Sequence, residues 1–372
     1  MTVGILKELQ DDSRVSLLPE AVAQLTKKGM EVLVETSAGA KAFAPDGEYE
    51  KAGARITTAA DIAQAADIVL CIHPPHPDLT LRTGLVLIGV YQPLFRHHLM
   101  QQWAQQGLTA FSLDMLPRTT RAQSMDVLSS QANIAGYKAV LLAANLYSRY
   151  FPMFMTAAGS IAPAKVLILG AGVAGLQAIA TARRLGAVVE VFDTRPAVKE
   201  EVMSLGAKFI EVEGAADASK AGGYAVEQTE EYQQRQQQKI ADSIAKADIV
   251  ITTAQIPGKK APLLITEAML NTMRQGSVVI DLAASSGGNT PFTKNNETIL
   301  RNGVTIVGNS NLPATMPSDA SKLYGKNVLN FLALIVSKEG GLDLNWKDDL
   351  VQGCCVTYNG DVVHDRVKAV LV

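Results

Sequence analysis

The sequence predicts an α/β protein of two domains built on parallel sheets. Three observations carry this. The chain has 372 residues, more than the roughly 100–200 of an ordinary domain. Short apolar runs alternate with helix-spaced segments over the first 115 residues, and a cleaner alternation of the same kind begins at residue 165.

In the first series "VGIL", "EVLVE", "DIVLCI", "LVLIGV" and "TAFSL" have strand character, and stretches 19–28, 58–65 and 96–106 carry helical spacing. Residues 124–149 hold no proline and a single glycine, Gly136, and their apolar positions recur at helical intervals, which predicts one long helix. Pro152, Gly159 and Pro163 then mark 151–165 as a loop. The second series offers six buried-type strands at 165–170, 188–193, 208–212, 247–253, 277–282 and 304–308. With helical spacers between them, these meet the requirement of a doubly wound nucleotide-binding fold. A polar loop follows Gly308, then a helix from about 318 to 336, and Asn359-Gly360 signals a type I′ hairpin within 356–364. The Gln-rich run 233–238 reads as a solvated helix face.

Composition excludes several classes. A hydrophobic share of 48% with 19% charged residues belongs to a folded soluble chain, and 34 basic against 36 acidic residues leave a net charge of -2, which does not call for nucleic acid. The apolar run 331–336 falls far short of the roughly 20 residues a bilayer requires, and the first residues lack a secretory pattern, so a cytoplasmic location is expected. Three cysteines are an odd count that fits a reducing compartment. The vicinal Cys354 and Cys355 have no second Cys or His pair at zinc spacing, so no metal site is expected.

"GAGVAG", residues 170–175, follows a strand and opens a helix. Gly170 suits the tight turn, Gly172 the close approach of a pyrophosphate, and Gly175 the packing of helix on strand, with Ala171 and Val173 completing the cradle. The phosphates then meet the positive end of the helix. The next strand ends at Asp193, followed by Thr194, where a carboxylate can hold ribose hydroxyls and repel a 2′-phosphate. That favours NAD over NADP. Arg195 either contacts the adenosine end or is a solvated residue over the adenine face. The long crossover at 213–228 contains Gly222, Gly223 and Tyr224 and is either a lid over the bound nucleotide or a surface excursion.

The stretch "PRTTRAQSMDVLSSQ", 117–131, is unusually polar. Gln123, Asp126 and Ser129 recur at helical intervals and can share one face. The alternative is a helix N-terminus with Ser124 or Thr120 as cap and Asp126 as a favourable first-turn charge.

Together with "RVSLLPE" (14–20), "AGGYA" (221–225), "ITTAQIPGKKAPLLIT" (251–266) and "GSVVIDLA" (276–283), these motifs give the chain a resemblance over essentially its whole length. It resembles the NAD(H)-binding component, the first domain, of the proton-translocating nicotinamide nucleotide transhydrogenases, which are similar to alanine dehydrogenases. The resemblance implies two α/β domains: a Rossmann NAD-binding domain at 134–317, and a Rossmann- or flavodoxin-like domain of both chain ends, 1–133 and 318–372. It implies that Arg118, Gln123, Asp126 and Ser129 work at the nicotinamide end of the cofactor, with Thr119 and Thr120 standing where the family commonly has Ile-Ser. Gly223 and Tyr224 would close the lid, and Leu264 would neighbour the adenine or ribose unless it is a core leucine.

The resemblance also implies a homodimer, NADP(H) held on a partner domain or subunit, and a membrane-spanning subunit that places this chain at the inner face of the membrane. Alanine dehydrogenases use a lysine and a histidine that align here with Cys71 and Val90, neither able to replace them; Arg14 remains as a possible substrate anchor, and His73 is a weak catalytic candidate. Hydride exchange between two nicotinamides needs no proton on an oxygen, so such groups can be absent. Two alternatives stay open, an alanine dehydrogenase-like oxidoreductase and a non-enzymatic NAD-binding module.

Overall fold

The computed structural model describes residues 1–9, 12–212, 214, 229–337 and 340–371. The chain forms two compact units, one of Met1–Gln131 with Pro313–Val372 and one of Ala132–Leu312.

Among the described residues, the first unit has an eight-stranded sheet. Six of its strands are parallel, in the order Thr109–Ser112, Val86–Gly89, Ile68–Leu70, Thr2–Ile5, Glu31–Glu35 and Arg55–Thr57. That is a doubly wound order, with its switch point between Thr2–Ile5 and Ile68–Leu70. Alternate residues feed separate cores: Val3, Ile5, Val32, Val34, Ile68 and Leu70 one, Leu33, Val69 and Leu87 the other. Burial of both sets is why these strands are apolar runs. The C-terminal chain returns to add Cys355–Tyr358 antiparallel beside Thr109–Ser112, then Asp361–Val362. Asn359 at φ 50 and Gly360 at φ 87 make the expected type I′ connection.

The second unit carries a seven-stranded sheet among the described residues. Its parallel strands run Lys208–Phe209, Val188–Phe192, Lys165–Leu169, Ile249–Thr252, Val278–Asp281 and Val304–Gly308, again doubly wound, with the switch point beside Lys165–Leu169. The helix Glu230–Ile244 buries Tyr232, Ile240 and Ile244 and turns its glutamines outward.

Several elements differ from the sequence reading. Glu297–Arg301 adds an antiparallel edge strand whose residues are mostly exposed, so it lacks the apolar run of a buried strand. Arg55–Thr57 is short and partly exposed for the same reason. The stretch 151–165, expected as a loop, contains a two-stranded ribbon, Phe154–Thr156 with Gly159–Ile161. The strand expected at 208–212 is reduced to Lys208–Phe209. The long helix spans Val127–Leu146 instead of 124–149, and a 3-10 turn over Thr120–Met125 precedes it. Among the described residues, no helix is long and apolar enough to cross a membrane.

Candidate functional site

In the second unit the glycine turn sits at the carboxyl end of Lys165–Leu169, beside the switch point. Its three glycines do different work. Gly170 has φ 106, a conformation that excludes most side chains, and an added Cβ would lie 2.3 Å from Thr253 Oγ1. A Cβ on Gly175 would lie 1.9 Å from the Gly170 carbonyl oxygen, so the helix Val173–Arg184 packs on the turn backbone to backbone. A Cβ on Gly172 would meet nothing within 4 Å. Gly172 is also the helix N-cap and has no side chain to satisfy the first N–H groups of the helix. An open cradle over a helix N-terminus fits a pyrophosphate. Val173 is 40% exposed at this mouth, and Ala171 is buried.

The next strand, expected to end at Asp193, ends at Phe192, and the carboxylate of Asp193 just beyond it is already fully engaged. Oδ2 accepts Ala171 N at 2.7 Å and Arg195 Nη2 at 2.7 Å, while Oδ1 accepts Arg195 N at 2.8 Å and Arg195 Nε at 2.9 Å. Arg195, for which the sequence left a contact at the adenosine end or a solvated place over the adenine face, is held by Asp193 in this structure. It is the bidentate partner of Asp193, and that hydrogen bond raises its own pKa against the opposing effect of burial. Thr194 is half-buried between the two. These four hydrogen bonds take up the acceptor sites of the Asp193 carboxylate.

Beyond the neighbouring strand Ile249–Thr252, Asn289 holds the loop that carries Leu264. Its Nδ2 donates to the carbonyls of Ala254 at 2.9 Å and Pro262 at 2.8 Å, its Oδ1 accepts Ala254 N, and its backbone carbonyl accepts Leu264 N at 3.0 Å. Leu264 is partly buried against the core on that face, so it also has the structural role weighed for it. Gly223 and Tyr224 lie outside the described residues.

The polar stretch belongs to the first unit. Ala122, Met125 and Val127 are buried in its core, which turns Arg118, Thr119, Thr120, Arg121, Gln123 and Ser124 outward. Arg121 binds Asp348 and Asp349, and Pro117 packs on Gly353, where an added Cβ would come within 2.3 Å. Asn327 Nδ2 and Asn330 Nδ2, on the helix Pro317–Ile335, each donate to the Ser124 carbonyl at 2.8 Å.

Gln123 lies within the 3-10 turn and Asp126 directly after it, so the α-helix expected to carry both begins only at Val127. Asp126 is instead the helix N-cap: Oδ1 accepts Ser129 N at 2.9 Å and Oδ2 accepts Ser129 Oγ at 2.6 Å. The cap is Asp126 itself, in place of Ser124 or Thr120. Gly136 is the one glycine in the long helix, and a Cβ there would lie 2.0 Å from the Ala174 carbonyl oxygen. That glycine lets the long helix press onto the start of the helix behind the cradle, a close approach that its isolation in an otherwise glycine-free helix could have flagged. Nothing in the sequence marked Asn289, Asn327 or Asn330.

At the switch point of the first sheet lies a second polar group. Arg14 donates to Asp12 through Nε and Nη2 and to Gln131 Oε1 at 2.8 Å, and His73 Nε2 lies 2.9 Å from Asp12 Oδ2. Burial would raise the Asp12 pKa, but the hydrogen bonds from Arg14 and His73 prevail and hold it well below the ordinary range. Glu8 accepts Ile72 N and His73 N, and burial raises its pKa to about 7. Cys71 is buried, which pushes its thiol up, and Val90 is half-buried. His97 is the first residue of the helix His97–Gln105 and is half-buried.

Two doubly wound units, one with an open glycine cradle at its switch point, have the form of a dinucleotide-binding protein. Similarity to known proteins agrees with that class. The model "Alanine dehydrogenase/PNT, N-terminal domain" matches residues 4–135 and "Alanine dehydrogenase/PNT, C-terminal domain" matches 139–365, so the chain belongs to the alanine dehydrogenase/PNT family. It is 45% identical to the first segment of the NAD(P) transhydrogenase alpha subunit of Rhodospirillum rubrum, over 98% of each chain. Its fold is similar to a crystal structure of transhydrogenase from Sinorhizobium meliloti, with a TM-score of 0.89 and 48% identity over 98% of this chain and 100% of that one. An L-alanine dehydrogenase structure follows at a TM-score of 0.83 and 25% identity, over 100% and 99%.

Proposed function

We propose that the chain binds NAD(H) and exchanges hydride with NADP(H) held on a partner domain or subunit, as a component of a proton-translocating transhydrogenase. In this reading a membrane-spanning partner couples the reaction to proton movement and holds the chain at the inner face of the membrane. The observation that carries the reading is the polar turn: a base of buried Ala122, Met125 and Val127 presents Gln123 outward near Asp126, the cap of the long helix.

Gly170 to Gly175 take the pyrophosphate, Asp193 takes the ribose once Arg195 yields, and Arg118, Gln123, Asp126 and Ser129 orient the nicotinamide. Orientation is the main demand of the reaction. The C4–H bond of NADH breaks as hydride, the C4–H bond of NADPH forms, and no proton has to be delivered to oxygen. Two C4 atoms must come to about 3–3.5 Å with water kept out. Side chains that hydrogen-bond a carboxamide and otherwise stay chemically inert suit that task.

A homodimer accords with the ribbon at 154–161. Met153 is 63% exposed, Met155 74% and Phe154 42%, and a two-stranded ribbon has no core of its own to bury them. A second copy of the chain would cover them.

The reading is tested by mixing the purified chain with NADH and NADP in the presence and absence of the NADP(H)-binding subunit. NADPH should form only when the subunit is present, and the chain alone should not oxidise NADH with pyruvate and ammonia. Turnover of pyruvate by the chain alone would make it an alanine dehydrogenase, and NADH binding without exchange in either mixture would make it a binding module.

A further inference from the structure

The Ser124 carbonyl accepts two side-chain amides, Asn327 Nδ2 and Asn330 Nδ2, both at 2.8 Å. One donor satisfies a carbonyl. Two donors arriving from adjacent turns of one helix also fix the direction in which the peptide plane faces. Ser124 lies directly after Gln123 and two residues before Asp126, so orienting this peptide orients both.

A second observation separates this clamp from ordinary packing. Asn327 is only 8% exposed, and its Oδ1 is buried with no hydrogen-bond partner among the described residues. An unpaired buried acceptor costs stability, and an apolar side chain at that position would avoid the cost. Its retention fits a requirement for the Nδ2 donor. The helix that carries both asparagines packs in the core through Tyr324, Val328 and Phe331, so it is a rigid support.

We infer that Asn327 and Asn330 are positioning residues for hydride transfer, holding the peptide between Gln123 and Asp126 so that those side chains meet the nicotinamide in one geometry. The inference rests on the proposed transhydrogenase function and goes beyond it, because neither asparagine is among the residues proposed to contact the nicotinamide.

The test uses the complete complex of this chain with its NADP(H)-binding subunit and compares wild type, Asn330→Ala, Asn330→Gln and Asn327→Ala. Single-turnover transfer from NADH is measured beside NADH affinity by fluorescence titration and thermal unfolding of each variant. Asn330 is only partly buried, so Asn330→Ala is expected to fold even if Asn327→Ala does not. The expected result for Asn330→Ala is a transfer rate lowered at least tenfold with NADH affinity changed less than twofold, and partial recovery in Asn330→Gln, which keeps the amide. A purely structural role would lower the unfolding temperature and leave the rate per bound complex unchanged, and that outcome overturns the inference. Absence of transfer in the wild-type complex overturns the underlying function instead, which keeps the two failures distinct.

Discussion

Arg195 grips Asp193 through Nε at 2.9 Å and Nη2 at 2.7 Å, closing acceptor sites on the residue proposed to bind a ribose. The pair is mostly buried, with side-chain exposures of 18% and 6%. A ribose diol must displace the guanidinium or share its acceptors. In the proposed site a 2′-phosphate, which the Asp193 anion repels, is countered by the more exposed Arg195 cation.

Arg195→Ala removes both the competitor and the cation that this pair offers a 2′-phosphate. NADH affinity should be kept or improved, while NADPH affinity falls roughly tenfold, about 1.4 kcal/mol. Equal losses for both nucleotides in parallel titrations would mean that Arg195 contacts something the two share.

Gly172 and Gly175 should separate binding from folding. Gly172→Ala enters open space and should leave the unfolding temperature nearly unchanged while weakening NADH at least tenfold. Gly175→Ala forces a Cβ against the Gly170 carbonyl and should destabilise the unit by roughly 1–3 kcal/mol. Calorimetry and fluorescence titration on both variants check this. A well-bound nucleotide in Gly172→Ala would place the pyrophosphate elsewhere.

Asp126 caps a helix and also sits in the proposed nicotinamide contact, and two substitutions divide those roles. Asp126→Ala should cost about 1 kcal/mol of stability through the lost cap. Asp126→Asn keeps a good capping side chain, so stability should hold within about 0.5 kcal/mol while hydride transfer slows. An unchanged transfer rate in Asp126→Asn would leave Asp126 a cap alone.

Glu8 gives a pH dependence of definite sign. Burial lifts its carboxyl from 4.5 to about 7, so between these values the folded chain keeps a proton that the unfolded chain has released. Stability therefore falls as pH rises through this window, with Glu8 withdrawing about 3 kcal/mol by the upper end. Asp12, held low, acts oppositely and only in acid, where its stabilisation is lost as pH falls. Unfolding midpoints of wild type and Glu8→Gln from pH 5 to 8 test this. The variant should lose the slope across that range, and an equal slope in both proteins would assign it to another group.

Much of this architecture could be read from the chain. Strands buried on both faces announce themselves as apolar runs, which is why Val166 to Leu169 and Ile249 to Ile251 were visible. The strand Glu297–Arg301 and the ribbon at 154–161 were hidden because edge strands with exposed residues have no such run. The glycine cradle was legible because backbone conformation and close approach restrict the residue type. The Asp193–Arg195 pair was not, since two residues in "DTRP" can equally face solvent, a ligand or each other. The helix start was misplaced because Gln123, Asp126 and Ser129 keep a helical spacing through a 3-10 turn that burial of Ala122 and Met125 imposes. Asn327 and Asn330 act on Ser124 across roughly two hundred residues of sequence, a distance over which local pattern carries no information.

In the proposed function this chain passes hydride directly from its own nucleotide to one held by a partner. The most direct measurement supplies NADH deuterated at both C4 positions to the complex with NADP and follows the label in the product by mass spectrometry. Direct transfer predicts NADPH carrying one deuterium per molecule, with none lost to water. Unlabelled NADPH, or deuterium delivered by the chain alone into alanine from pyruvate and ammonia, would contradict it.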